Sequence, residues 1–148
     1  MPVSLPPAFL GFLSAVPILI SVWLLVTALL STLSGWPRLA ERFPGGAPPP
    51  GNRVRGQVLG LGPIRENNVT TLIPTDPGLY MCAMPLFWLR RPSILLPWTQ
   101  IRYLDRPQVL WSTSHVLNLG GLTTMRVRPA LLPLLRSHGV HIPSDALT

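Results

Sequence analysis

Lysine is absent from this chain: all 12 of its basic residues are arginine. Acidic residues are scarce as well, at five, which leaves a formal net charge of +7. Charged residues make up 11% of the 148 positions, against about 25% in an average soluble domain. A deficit of that size implies that part of the chain sits in lipid. A single cysteine, Cys82, excludes an internal disulfide. It stands in the apolar run 79–86, where cysteine behaves as a small buried hydrophobe rather than a reactive thiol.

The shortage of carboxylates also bears on catalysis. Glu41, Glu66, Asp76, Asp105 and Asp145 are scattered, and no close pair suited to acid–base work is present. There is no nucleophile elbow and no phosphate loop, and Gly56, Gly60 and Gly62 do not fit a dinucleotide fingerprint. His138 and His141 are three apart, but they lack the further ligands that a metal ion needs. The sequence therefore assigns no catalytic residue, no cofactor and no metal. It points to a binding or structural module rather than an enzyme.

Long apolar runs, by contrast, are present. No charge interrupts residues 8–30, AFLGFLSAVPILISVWLLVTALL. As a helix these residues extend roughly 34 Å at about 1.5 Å per residue, enough to cross a hydrocarbon core of about 30 Å. A transmembrane helix is expected over 8–33, after an N-terminal tail of 1–7. A cleaved signal peptide fits less well, because the run exceeds an h-region of about 7–15 residues and lacks a basic n-region. Arg38, Arg42, Arg53 and Arg55 follow the span and nothing basic precedes it. By the positive-inside rule the chain should lie in the inner (plasma) membrane with its C-terminal domain in the cytoplasm.

Trp36, at the end of the span, reads as an interfacial anchor. The Pro- and Gly-dense stretch FPGGAPPPG makes 34–50 read as a juxtamembrane segment and linker, too rich in proline and glycine for helix or strand. Beyond it the pattern turns to β. Strands are expected over 53–61, 69–73, 79–87, 93–97, 100–104 and 122–128, with 109–113 and 115–119 forming one strand or two, and with turn chemistry at Thr75-Asp76-Pro77-Gly78 and Asn118-Leu119-Gly120-Gly121. The leucines of 131–135, followed by Arg136, His138 and Gly139, describe a short closing helix. The domain is thus expected over 51–142, folding alone as a mainly-β barrel or sandwich closed by that helix, with 143–148 as a tail.

That order of short strands and one C-terminal helix is the order of a pleckstrin-homology-like (PH-like) barrel. The segments Gly35-Trp36-Pro37-Arg38-Leu39-Ala40-Glu41-Arg42-Phe43, Asp76-Pro77-Gly78-Leu79-Tyr80, Pro85-Leu86-Phe87 and Ile94-Leu95-Leu96-Pro97-Trp98 resemble a group of bacterial single-span membrane proteins with a PH-like, or GRAM-like, domain. The resemblance implies lipid or protein binding and carries over no catalytic residues. Trp36, Arg38, Arg42, Arg65, Trp88, Arg90 and Arg91 are the candidate contacts to anionic lipid headgroups or a protein partner. Nucleic acid would use the same charge, but no recognition motif accompanies it. The resulting expectation is a membrane-tethered PH-like binding or scaffolding module. The alternative is a small accessory subunit of a larger membrane complex, packed through the small residues Gly11, Ser14 and Ala15.

Overall fold

The computed structural model describes residues 4–65, 69–85, 91–105 and 114–147. It opens with one long helix, α1 (Pro7–Ser34), of 28 residues, roughly 42 Å at about 1.5 Å per residue. Gly35, at φ +82°, caps it in the left-handed conformation, which glycine adopts without a Cβ penalty. The chain turns there and enters a second helix, α2 (Trp36–Arg42), with Pro37 in its first turn, where no amide hydrogen is needed.

The β strands are β1 (Val58–Leu61), β2 (Ile64–Arg65), β3 (Thr70–Pro74), β4 (Gly78–Ala83), β5 (Ile94–Pro97), β6 (Ile101–Asp105), β7 (His115–Leu119) and β8 (Thr123–Val127). Among the described residues they form two antiparallel sheets, one of five strands in the order β2-β1-β8-β7-β6 and one of three in the order β3-β4-β5. Of the expected barrel or sandwich, closure into a barrel is not found: no ladder joins the two sheets among the described residues. Helix α3 (Leu132–Ser137) follows a single 3-10 turn at Pro129–Leu131. Other 3-10 turns cover Trp98–Gln100 and Ser144–Leu147; the latter forms where a tail was expected, and Ala146 packs on the core.

One hydrophobic core serves every strand except β2, together with α2 and α3. It takes Val58, Leu61, Leu117, Leu119, Met125 and Val127 from the larger sheet and Leu72, Leu79, Met81, Ile94 and Leu96 from the smaller one. Leu132 and Leu135 of α3 enter the same core fully buried. A helix of six residues is unstable alone, so those two side chains account for its presence. The alternation read in β8 is kept, with Met125 and Val127 buried.

Two boundaries differ from the sequence reading, for one reason. The core also contains Trp36, Leu39 and Ala40 of α2, so the folded unit begins at Trp36 and not near Gly51. The Pro/Gly stretch is not a spacer. Leu95 N–H donates to Phe43 O, Gly45 N–H donates to Ser93 O, and Pro44 bridges Ile94 along the free edge of β5. Tyr80 Oη and Ser93 Oγ both donate to Gly46 O, at 2.9 and 2.7 Å. Val54 then bridges Leu72 on the opposite edge at β3. Residues 43–54 therefore run over the outer face of the three-stranded sheet and cover both of its edges, which an exposed sheet must otherwise protect. Proline and glycine exclude regular strand, but an extended strap needs only a few backbone hydrogen bonds.

Candidate functional site

Among the described residues, those singled out for contact, Trp36, Arg38, Arg42, Arg65 and Arg91, lie on or beside α2 and β2, which adjoin the end of α1. Thr27, Ser31 and Ser34, spaced four and three apart, are the buried residues of α1, and the helix lies against β2 there. Their size allows a close approach. Hydroxyl groups buried in apolar surroundings need partners: Thr27 Oγ1 donates to Trp23 O at 2.8 Å, and Ser34 Oγ donates to Ser31 O at 2.7 Å. Ser34 O in turn accepts from Thr123 Oγ1, at the start of β8, at 2.9 Å. Gly62 also comes so near that a methyl group there would lie 3.0 Å from Ser34 O and 3.2 Å from Thr123 Oγ1. The end of the long helix is thus fixed to the β1–β2 and β7–β8 turns instead of leading into a flexible tether.

Trp36 is not at a membrane interface. It is 0% exposed, and its indole N–H donates to Pro92 O at 2.7 Å. The left-handed turn at Gly35 directs α2 back under the sheets, and that turn is what moves the indole from the surface into the core. Arg91 is corrected for a related reason. It is only 6% exposed, with its guanidinium carbon 5.4 Å from the centre of the Trp36 ring, so it braces the indole and is withdrawn from solvent. Trp88 and Arg90 lie outside the described residues.

Arg38, Arg42 and Arg65 are exposed, as the reading requires. None of the three has a salt bridge among the described residues. Arg38 and Arg42 lie on α2, and Arg65 ends β2, the strand against which α1 rests. Arg42 stands over the ring of Phe43 at 5.7 Å, a cation–π arrangement. The three cations therefore lie on elements that adjoin the end of the apolar helix. The sequence indicated their sign but not their neighbours. Nothing in the sequence ties Thr123 or Gly62 to Ser34, because a hydroxyl and a glycine carry no signal of a contact that is 89 positions away in the first case.

His138 stacks on Trp98 with ring centres 4.3 Å apart, and its Nδ1 donates to Leu134 O at 2.9 Å. Burial pushes the Cys82 thiol above its ordinary value, partly offset by the positive charges of Arg53 and Arg55. Less of it is thiolate at neutral pH, so iodoacetamide at pH 7 should modify folded Cys82 more slowly than a free cysteine, with the rate climbing as pH rises through the elevated pKa. Equal rates at pH 7, followed by mass spectrometry, would contradict this.

No family model, no curated protein and no solved structure matches the chain.

Proposed function

We propose that this chain is a membrane-anchored PH-like binding module that rests directly on the anionic surface of the cytoplasmic leaflet. One observation carries the reading. The apolar stretch of α1 has a mean hydropathy of 2.4 and no buried residue over an 18-residue window, while its last turn is held by the β domain through Ser34 and Thr123. Leaving that many large apolar side chains in water would cost about 1.5–3 kcal/mol for each, so the exposed helix needs lipid. A leader destined for removal has no reason to supply Thr27, Ser31 and Ser34 to the packing of the mature fold.

The PH-like assignment is supported by the strand order, by two antiparallel sheets sharing one core, and by the C-terminal helix that enters it. Orientation follows from the arginines. Arg38, Arg42 and Arg65 are exposed beside the end of α1, and a cation near an anionic leaflet adds about 1 kcal/mol of attraction. With the domain fixed to the helix end, those charges meet headgroups without a linker to span.

A reporter active only in the periplasm, fused after Thr148, should be silent, and the chain should stay in the pellet when membranes are washed with carbonate. Periplasmic reporter activity would reverse the orientation. Release into the wash would remove the anchor. Recovery from mild detergent in a stoichiometric complex would replace the module with an accessory subunit.

A further inference from the structure

We propose that the hollow beside the β7–β8 turn is a binding site for a phosphate group, and that a phospholipid headgroup is the form of phosphate nearest to it. Only the second clause rests on the anchored reading; the chemistry of the site stands on its own.

The hollow has a volume of about 320 Å³ and is lined by Gln100, Arg102, Leu104, Asn118, Gly120 and Gly121. That volume sits at the lower end of the range of about 300–1,000 Å³ typical of small-molecule sites. Gln100 ends a 3-10 turn (Trp98–Gln100) just before β6, Arg102 and Leu104 lie on one side of β6 by strand alternation, and the antiparallel register sets Arg102 opposite Asn118. The turn that follows is held rigidly. Gly120 N–H donates to Gln100 O at 2.8 Å, and Asn118 Oδ1 accepts from Gly121 N–H at 2.8 Å. Gly120 has a φ of +60°, and a methyl group on it would lie 2.9 Å from the Phe43 ring. Only glycine fits at that point, where the turn closes on the end of α2.

The groups left over are donors. With Asn118 Oδ1 occupied, its Nδ2 hydrogens are free to donate. Gln100 makes no side-chain hydrogen bond, and the exposed Arg102 makes neither hydrogen bond nor ion pair, among the described residues. No carboxylate is found among the lining residues described. A guanidinium fork and two amide NH₂ groups around one polar hollow, with no anion to neutralise them, match the oxygens of a phosphate. Leu104, an exposed large apolar residue at the rim, offers surface to the apolar part of such a molecule.

Position favours the lipid. Thr123, two residues beyond Gly121, is the residue that holds Ser34 O at the end of α1. The hollow is therefore on the end of the domain from which the span departs, the level at which lipid phosphates lie. The sequence contained half of this site: Gln100, Arg102 and Leu104 alternate in plain view. Asn118 and the glycines reach them only through strand pairing.

The test uses the full chain, isotope-labelled, in nanodiscs of phosphatidylcholine. The amide signals of Arg102, Asn118, Gly120 and Gly121 are followed during titration with inorganic phosphate, and again in nanodiscs doped with phosphatidylglycerol. Saturable shifts at these residues are expected, and Arg102→Gln should weaken the response at least about tenfold, since a charge-assisted contact is lost. Shifts with inorganic phosphate establish the site with a soluble source; shifts only in the doped nanodiscs establish it with the headgroup as source. No shift under either condition would overturn it, as would a response that survives both Arg102→Gln and Asn118→Ala. A chain that does not enter nanodiscs at all would refute the anchored reading separately, and the phosphate titration in detergent would then decide the site alone.

Discussion

Trp36→Ala is expected to destabilise the β domain by about 3–5 kcal/mol, the range for emptying an aromatic core position. The indole is fully buried, its N–H is bound to Pro92 O, and the Arg91 guanidinium lies over its ring. Removing it leaves a cavity beside Leu39 and an unpaired carbonyl, which adds about 1–3 kcal/mol if water does not reach it. Domains of this size hold only about 5–15 kcal/mol in total, so the melting temperature should fall by roughly 15–30 °C. Trp36→Phe keeps most of the volume and loses the hydrogen bond, and it should fall between the two. Thermal melts of the full chain in detergent, read by near-ultraviolet circular dichroism, would decide. A parental melting point for Trp36→Ala would return Trp36 to the membrane interface, the role that its sequence context had indicated. By the same argument a fragment of residues 51–148, which lacks Trp36, Leu39 and Ala40, should not fold.

Leu135→Asp is the second large effect. Leu135 is completely buried in the core that both sheets share. Aspartate there forfeits about 2–5 kcal/mol of apolar packing and places a carboxylate among the apolar side chains of the shared core, a further cost of several kcal/mol unless the group stays protonated. The domain should be largely unfolded at neutral pH and readily cleaved by protease. Ala130→Asp, at an exposed position just ahead of α3, makes the same change of charge without burial and should stay within about 0.5 kcal/mol of the parent. If Leu135→Asp resists protease as the parent does, α3 does not dock. The architecture would then be two sheets without their C-terminal helix.

Much of this fold could be read locally. The turn at Thr75–Gly78 and the glycines at 120 and 121 mark chain reversals through their own backbone preferences, which need no tertiary contact. The alternation of β8 and the leucine cluster of α3 appear as period two and then period three to four. The exposed arginines of α2 were also legible, because charge resists burial wherever the chain goes. The candidate list failed where burial overrode type. Trp36 and Arg91 both carry features common at membrane surfaces, and both were drawn inside by a partner 55 positions away in the chain, each by the other.

The division follows from the range of the forces involved. Composition and hydropathy settle that one N-terminal helix is apolar and uncharged along its length, that short strands and turns closed by a short helix follow it, and that no internal disulfide can form. These depend on each residue's own chemistry and that of its neighbours in the chain. Three matters required the chain to be folded. Residues 43–54 became a strap over the three-stranded sheet, because the edges of β3 and β5 had backbone groups to satisfy. The end of α1 became rigidly attached, because Thr123 and Gly62 arrive beside Ser34 only once β1 and β8 have paired. Arg102 and Asn118 came to face one hollow because antiparallel register aligns residues 16 positions apart. Hydrogen bonds and packing act over a few ångströms in space, so a contact between distant positions leaves no mark in the linear order until the strands are in place.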